Sequence, residues 1–234
     1  MVLPDKFKCV ITNWDYIYNL TRNVANDIKR SGYEPDTIIA LARGGWFPGR
    51  VLCDFLGLND LTSLKIEHYL GTAAASGQPE IKYPLAENSV TGKKVLIVDD
   101  IVDTGKSIIH AREYVKTHDS KEIRTAALQY LYTSEMVPDY LGEKVEEWAW
   151  IVYPWNFVED MIDIISKLMI KEKKNALTLD DIRTGLYHYH MIDPINFEIA
   201  QPGRLLEVMS EMERIKIVEK KSINGSIGWG FLPE

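Results

Sequence analysis

Residues 94–107 read Lys94-Val95-Leu96-Ile97-Val98-Asp99-Asp100-Ile101-Val102-Asp103-Thr104-Gly105-Lys106-Ser107, and their order decides the fold. Val95 to Val98 is an unbroken β-branched and aliphatic run, the pattern of a strand buried on both faces of a parallel sheet. Two adjacent carboxylates sit where that strand leaves the core. Asp-Thr-Gly-Lys-Ser then makes a small turn-forming loop. The segment from Ser107 to Val115 follows with apolar residues at helical spacing. Strand, acidic exit, loop and helix come in immediate succession.

Each part has a chemical reason. A loop of Thr, Gly and Ser before a helix offers unpaired backbone N–H groups, hydroxyls and the positive end of the helix dipole, a receptor for a phosphate monoester. Gly105 lets the backbone approach that phosphate. Two carboxylates nearby disfavour a second phosphate, but they accept hydrogen bonds from vicinal hydroxyls or hold Mg²⁺. A phosphate beside a diol is a ribose 5-phosphate. The plain alternative is a generic strand–loop–helix with two surface aspartates.

The run Val95 to Ser107 resembles the phosphoribosyl-pyrophosphate (PRPP) signature of type I phosphoribosyltransferases, and is most similar to the 6-oxopurine branch that salvages hypoxanthine, guanine or xanthine. The resemblance implies an α/β fold with a mostly parallel five-stranded sheet flanked by helices, Mg²⁺ as cofactor, and a homodimer. It implies that Asp99 and Asp100 bind the ribose hydroxyls, directly or through Mg²⁺, and that Thr104, Gly105, Lys106 and Ser107 bind the 5′-phosphate. Asp103 becomes the candidate catalytic carboxylate: placed by N7 of the purine, it manages the proton that leaves N9 nucleophilic toward C1′.

Composition sets the outer bounds. A chain of 234 residues with 46% hydrophobic and 26% charged residues fits one soluble domain with a small appendage. A formal charge of −7 argues against a nucleic-acid surface as the main partner. No apolar run reaches membrane-spanning length, and the start Met1-Val2-Leu3-Pro4-Asp5-Lys6 carries no signal-peptide core, so a cytoplasmic protein is expected. Cys9 and Cys53 lie in apolar surroundings without metal-type spacing and read as reduced core residues.

Before the signature, Phe7 to Ile11 reads as a short strand, and Thr12 with Asp15 resembles a capping box opening a helix to about Arg30. Asp36 to Leu41 is a buried strand that runs into Ala42-Arg43-Gly44-Gly45-Trp46, with a helix continuing through Leu56. Two glycines between strand and helix form an anion-accepting turn with an arginine beside it; a plain tight turn reads almost as well. Upstream of the signature, this turn resembles the pyrophosphate-binding loop of the family. The resemblance implies a cis bond at Ala42–Arg43 and pyrophosphate contacts from Ala42, Arg43 and Gly44. Ser63 to Tyr69 is a third strand. The small, aperiodic stretch from Leu70 to Ile81 matches the family's closing catalytic loop in position, with a hairpin tip as the alternative. Lys82 is either a pyrophosphate contact or a solvated lysine.

After the signature helix, Ile123 to Tyr132 is another strand, and Pro138-Asp139-Tyr140 leads into a segment from Glu146 to Asn156 that is counted toward the five strands. Both phosphate turns follow strands and so fall at the sheet's carboxyl edge, where α/β ligands bind. Trp150-Ile151 and Pro154-Trp155-Asn156 resemble the bacterial purine-salvage pattern in which the first aromatic stacks on the base and the next residue's backbone reads its edge. Stacking of that kind is worth roughly 1–3 kcal/mol; core packing is the alternative for Trp150, and Trp148 is its substitute one strand period away.

One departure matters more than these matches. The 6-oxopurine enzymes carry a lysine after the signature helix that donates to the purine O6. Here the strand reads Ala126-Ala127-Leu128-Gln129-Tyr130-Leu131-Tyr132, with Leu131 near that position. A buried carbonyl without a donor is costly, whereas an exocyclic amine needs only an acceptor such as a carbonyl near Ile151. The expectation shifts to adenine, with PRPP and adenine giving AMP and pyrophosphate, and the chain also resembles archaeal adenine phosphoribosyltransferases with a 6-oxopurine-type core.

The expected division is a phosphoribosyltransferase core over 1–156 and a small, mainly helical extension over 157–234. In the extension, Phe157 to Ile170 reads as an amphipathic helix, a second runs from Thr178 to about His190, Asp193-Pro194 breaks it, and Pro202 to Arg214 is a third, before a hairpin around Asn224-Gly225. Three helices and a hairpin read either as a lid or buttress or as a winged-helix module of a PRPP-sensing regulator. Ten Lys+Arg against thirteen Asp+Glu over 157–234 argue against DNA.

Overall fold

The computed structural model describes residues 6–68, 79–223 and 225–232. In chain order the elements are β1 (Cys9–Ile11), α1 (Trp14–Arg30), β2 (Thr37–Ala42), α2 (Trp46–Leu56), β3 (Leu61–His68), β4 (Pro79–Tyr83), β5 (Lys94–Val102), α3 (Lys106–Lys116), β6 (Glu122–Leu131), β7 (Tyr140–Val145), β8 (Trp150–Val152), α4 (Phe157–Glu172), β9 (Leu177–Thr178), α5 (Leu179–His190), α6 (Pro194–Ala200), α7 (Arg204–Arg214), β10 (Val218–Ile223) and β11 (Ser226–Phe231). Two compact units result: Asp15–Glu147, and Met1–Trp14 together with Trp148–Glu234.

The unit of residues 15–147 is built on one sheet of order β4-β3-β2-β5-β6-β7. Five of its strands are parallel, as expected; β4 adds a sixth, antiparallel to β3 at the edge. The apolar runs explain the centre, since Thr37 to Leu41 and Val95 to Val98 are buried throughout. Ile39, Leu41, Ile97 and Val102 form one core with Ile108, Ala111 and Val115 of α3. From β2 the chain adds β3 on one side, then returns to place β5, β6 and β7 on the other. The order therefore reverses between β2 and β5, the switch point where crevices open in such sheets.

The fifth parallel strand lies at Tyr140–Val145, earlier than the expected segment from Glu146 to Asn156. The cause is Asp139, whose carboxylate accepts from the Thr125 backbone N–H and hydroxyl, each at 2.8 Å. That pair pins the start of β7 beside β6, and pairing begins at Ala126↔Tyr140. The antiparallel β3–β4 ladder runs to His68↔Pro79, so the end of the stretch expected as the catalytic loop, residues 79–81, belongs to β4, while its remainder, within 69–78, lies outside the described residues.

The second unit divides the chain differently from the 1–156 and 157–234 expected. Cys9, Val10 and Ile11 pair in parallel with Trp150, Ile151 and Val152. Phe7 and Val152 pack into the core made by Phe157, Met161, Ile164 and Leu168 of α4 with helices α5 and α7. A strand from the N-terminus is thus a structural part of the C-terminal third. Thr12 does not open α1 as a capping box would: its hydroxyl donates to the Val152 carbonyl at 2.9 Å, and its carbonyl accepts from Gln201 Nε2 at 2.7 Å. Cys9 and Cys53 are buried and free.

Asp193-Pro194 ends α5 as expected and also starts α6, which the sequence reading lacked. The Asp193 carboxylate accepts from the Ile195 and Asn196 N–H groups, with Pro194 in the first turn. Helices α5 to α7 between β9 and the β10–β11 hairpin, with β11 pairing back to β9, make the connectivity of a winged helix. Four of its cations are held by neighbouring acids: Arg204 by Glu207, Arg214 by Glu211, Lys220 by Glu213 and Lys221 by Glu219. Among the described residues no helix is long and apolar enough to cross a membrane.

Helix α5 opens on a reciprocal capping box. Thr178 Oγ1 accepts from the Asp181 N–H at 3.1 Å, and the Asp181 carboxylate accepts from the Thr178 N–H at 2.9 Å. Thr178 and then Lys174 pull the Asp181 carboxyl down to about 2. Replacing Thr178 by Ala is expected to cost about 1 kcal/mol in urea unfolding. Because the Asp181 pKa is depressed in the fold, its stabilisation is present above the ordinary carboxylate range and is lost as pH falls toward about 2. Thermal melts of the Asp181→Asn variant should converge with wild type in that acid window.

Candidate active site

The first turn follows β2. The Ala42–Arg43 peptide bond is cis, as the resemblance implied. Gly45 N donates to the Leu41 carbonyl at 2.8 Å and Trp46 N to the Arg43 carbonyl at 3.2 Å, so the turn closes on itself. Helix α2 follows Gly45 without a side-chain cap, although the Gly45 and Trp46 N–H groups are taken by the turn's own carbonyls and Pro48 carries none. Arg43 is exposed in this turn.

Both glycines are demanded by the neighbouring strand end. A Cβ on Gly45 would lie 2.3 Å from the Val98 carbonyl oxygen. On Gly44 it would lie 2.1 Å from one Asp100 carboxylate oxygen and 2.4 Å from the other. Asp100, only 8% exposed, is therefore seated against the Gly44 backbone, while Asp99 remains half-buried. The two acids are locked by the chain itself. Asp100 N donates to Asp99 Oδ1 at 3.0 Å, and Ile101 N to Asp100 Oδ1 at 2.8 Å. Burial, and after it the Asp100 charge, holds the Asp99 carboxyl well above the usual carboxylate range.

The second turn, Asp103 to Ser107, leads from β5 into α3. Gly105 has φ +84°, a left-handed conformation that favours glycine, and α3 begins there without a side-chain cap. Lys106 N lies 3.4 Å from Thr104 Oγ1. Asp103, Thr104 and Lys106 reach solvent, and Ser107 is half-buried. Asp103 keeps enough desolvation to raise its carboxyl pKa, which moves it toward the range of a proton carrier.

These turns bring Ala42, Arg43, Gly44, Asp99, Asp100 and residues 103–107 to the carboxyl edge of one sheet. Trp150 and Ile151 belong to the other unit. There Trp150 N donates to the Lys8 carbonyl at 2.8 Å, and the half-buried Trp150 ring packs on the core around Phe157. Ile151 is half-buried opposite Val10. The packing expected as the alternative for Trp150 is present, with part of the residue still open. Lys82 is exposed on β4, and Leu131 is buried at the end of β6. Sequence reasoning missed Ser134, Glu135 and Met136, which back the second turn; Thr-Ser-Glu-Met carries no periodicity that would flag them.

Among the described residues no three His, Cys, Asp or Glu converge as a protein-borne metal cage. The donor set that is present, two adjacent carboxylates at the strand exit, fits Mg²⁺, which keeps waters and takes further oxygens from phosphates and hydroxyls.

The phosphoribosyl transferase domain family matches residues 11–161. Among curated proteins the chain is similar to the xanthine-guanine phosphoribosyltransferase of Gluconobacter oxydans, 25% identical over 157 residues that cover 65% of this chain and 88% of that one. It is likewise similar to the enzyme of the same name from Cereibacter sphaeroides, 28% identical over 159 residues, covering 64% and 89%. Among solved structures, a purine phosphoribosyltransferase from Pyrococcus horikoshii is 34% identical, with a TM-score of 0.57, over 63% of this chain and 93% of that one.

The packing of Gly44 on Asp100 makes Gly44→Ala a direct probe. The overlap, worth on the order of 1–3 kcal/mol if it is accommodated, should weaken Mg-PRPP binding roughly tenfold in calorimetry. Asp99→Asn tests the acid pair by sign. A carboxyl with a raised folded pKa destabilises the fold as pH rises past its unfolded value, so the amide should raise the melting temperature at neutral pH while lowering Mg-PRPP affinity.

Proposed function

Because the chain belongs to the phosphoribosyl transferase domain family, we propose that it is a purine phosphoribosyltransferase. Its reaction joins N9 of a 6-oxopurine (xanthine, guanine or hypoxanthine) to C1′ of PRPP and releases pyrophosphate. One observation carries the choice of base: three curated relatives that cover this chain's phosphoribosyl transferase region, at 25%, 28% and 26% identity, are named xanthine-guanine phosphoribosyltransferases. This favours a 6-oxopurine over the adenine expectation, whose support was the lack of a lysine on β6. That lack is real, but a donor need not come from the same strand. Lys144 of β7 lies in parallel register with Tyr130 and is exposed, so a cation stands beside the end of β6. We assign it as the donor to the oxo group.

In this reading the Thr104–Ser107 turn and the start of α3 take the 5′-phosphate through backbone N–H groups and hydroxyls. Arg43 and the Gly44–Gly45 turn take the pyrophosphate, so the two ends of PRPP are held at adjacent strand exits. That positioning converts a bimolecular substitution into an oriented one. Asp99 faces the ribose hydroxyls and a bound cation, and Asp100 keeps the pyrophosphate turn in place. Mg²⁺, when bound, supplies charge neutralisation to the leaving diphosphate. Asp103 accepts the purine proton and holds it as C1′ gains oxocarbenium character.

The test is pyrophosphate release from Mg-PRPP with xanthine, guanine, hypoxanthine and adenine offered separately. Turnover with one or more of the first three, and little with adenine, is expected. In Lys144→Met, kcat/KM for those bases should fall about tenfold or more, as for a lost charged hydrogen bond, with PRPP binding intact. Adenine as the only accepted base would restore the donor-free site. PRPP binding without turnover on any base would turn the reading to a PRPP sensor.

A further inference from the structure

Behind the Thr104–Gly105 peptide stands another turn, the segment Ser134–Met136 that follows β6. Ser134 N donates to the Leu131 carbonyl at 3.0 Å. Ser134 Oγ accepts from Met136 N at 3.3 Å and lies 3.0 Å from the Met136 carbonyl, so one hydroxyl closes the turn. Leu131 is buried and Met136 packs against the core under α3, which roots the turn in the sheet. Its tip sends the Glu135 N–H to the Thr104 carbonyl at 3.2 Å. The approach is close enough that a Cβ on Gly105 would lie 2.8 Å from Ser134 Oγ and 3.2 Å from Met136 N.

That bond fixes more than a distance. In a trans peptide the carbonyl and the following N–H point in opposite directions. With the Thr104 carbonyl held toward Glu135, the Gly105 N–H faces away from the turn, as a donor to a phosphate cradled by the loop must. Gly105 is permissive in φ and would otherwise let this peptide plane rotate. We propose that Ser134 and the Glu135 N–H are positioning groups: they hold the Thr104–Gly105 peptide in its phosphate-accepting orientation and so set affinity for the 5′-phosphate end of the substrate. The proposal rests on the PRPP reading. It adds a third strand exit, that of β6, to the two that carry ligand contacts.

The experiment measures equilibrium binding of ribose 5-phosphate, PRPP and pyrophosphate to the full chain, with steady-state kinetics alongside. In Ser134→Ala, affinity for ribose 5-phosphate and PRPP should fall roughly three- to tenfold, the range of one net hydrogen bond. Pyrophosphate affinity and kcat at saturating PRPP should stay put, and Ser134→Thr, which keeps the hydroxyl, should recover most of the loss. Glu135→Ala retains the N–H and should bind as wild type, whereas Glu135→Pro deletes it and should lose more than Ser134→Ala. Wild-type affinity for ribose 5-phosphate in Ser134→Ala would overturn the proposal, as would an equal loss of pyrophosphate affinity, which marks general loosening. A wild-type chain that binds neither PRPP nor ribose 5-phosphate would instead sink the PRPP reading itself.

Discussion

The absence of two side chains governs this sheet edge. Strands β2 and β5 are neighbours in register from Thr37↔Val95 to Ala40↔Val98, so the turns that leave them must share one small volume. The Val98 carbonyl fills the space of a Cβ on Gly45, and the Asp100 carboxylate fills that of a Cβ on Gly44. Only glycines let both turns stay at the switch point with their helix N-termini uncapped by side chains. Placement of the anion seats, closeness of the acid pair and direction of α2 and α3 all descend from that contact.

Close packing of this kind concentrates charge. Asp99 and Asp100 are consecutive, poorly hydrated, and tied by a backbone-to-carboxylate bond of 3.0 Å. Desolvation, and after it the repulsion between them, holds the Asp99 carboxyl above the usual carboxylate range. An unfavourable pair of this sort is a place where fold stability and ligand affinity pull against one another. The winged-helix arrangement of the other unit shows the opposite economy. Arg204, Arg214, Lys220 and Lys221 each pair with a nearby glutamate, which lowers the positive field offered to a phosphate backbone.

The sheet was legible because its central strands are apolar runs and its ligand turns are strings of small residues. Thr37 to Leu41 and Val95 to Val98 can hardly be anything but buried strands, and Gly44, Gly45 and Gly105 punctuate where the backbone must bend. Other features depend on partners far away in sequence. Periodicity could not show that Cys9–Ile11 pairs with Trp150–Val152, and so it could not show which part of the chain the N-terminus joins. Thr12 looked like a cap because the local spacing was right, yet a carbonyl at Val152 claims its hydroxyl. Asp193-Pro194 was read as a stop, and the same two residues make a good start. The tip at Ser134–Met136 left no mark in the sequence, because its work is done by one hydroxyl and one backbone N–H.

The same distinction separates the two halves of the substrate. Phosphate is read largely by backbone N–H groups, whose placement depends on glycines and helix starts, and these are visible as residue types. A purine is read by a few donors and acceptors that can be delivered from any strand ending at the right level. The search for a lysine on β6 assumed that delivery comes from one fixed strand. In a parallel sheet the next strand presents its residues at the same height: Leu131 stands beside Val145, and Tyr130 beside Lys144. A donor can therefore shift by one strand with no change in the fold. One missing residue type is weak grounds for the chemistry of a base, whereas two glycines packed on a carbonyl and a carboxylate leave the backbone of that turn little choice.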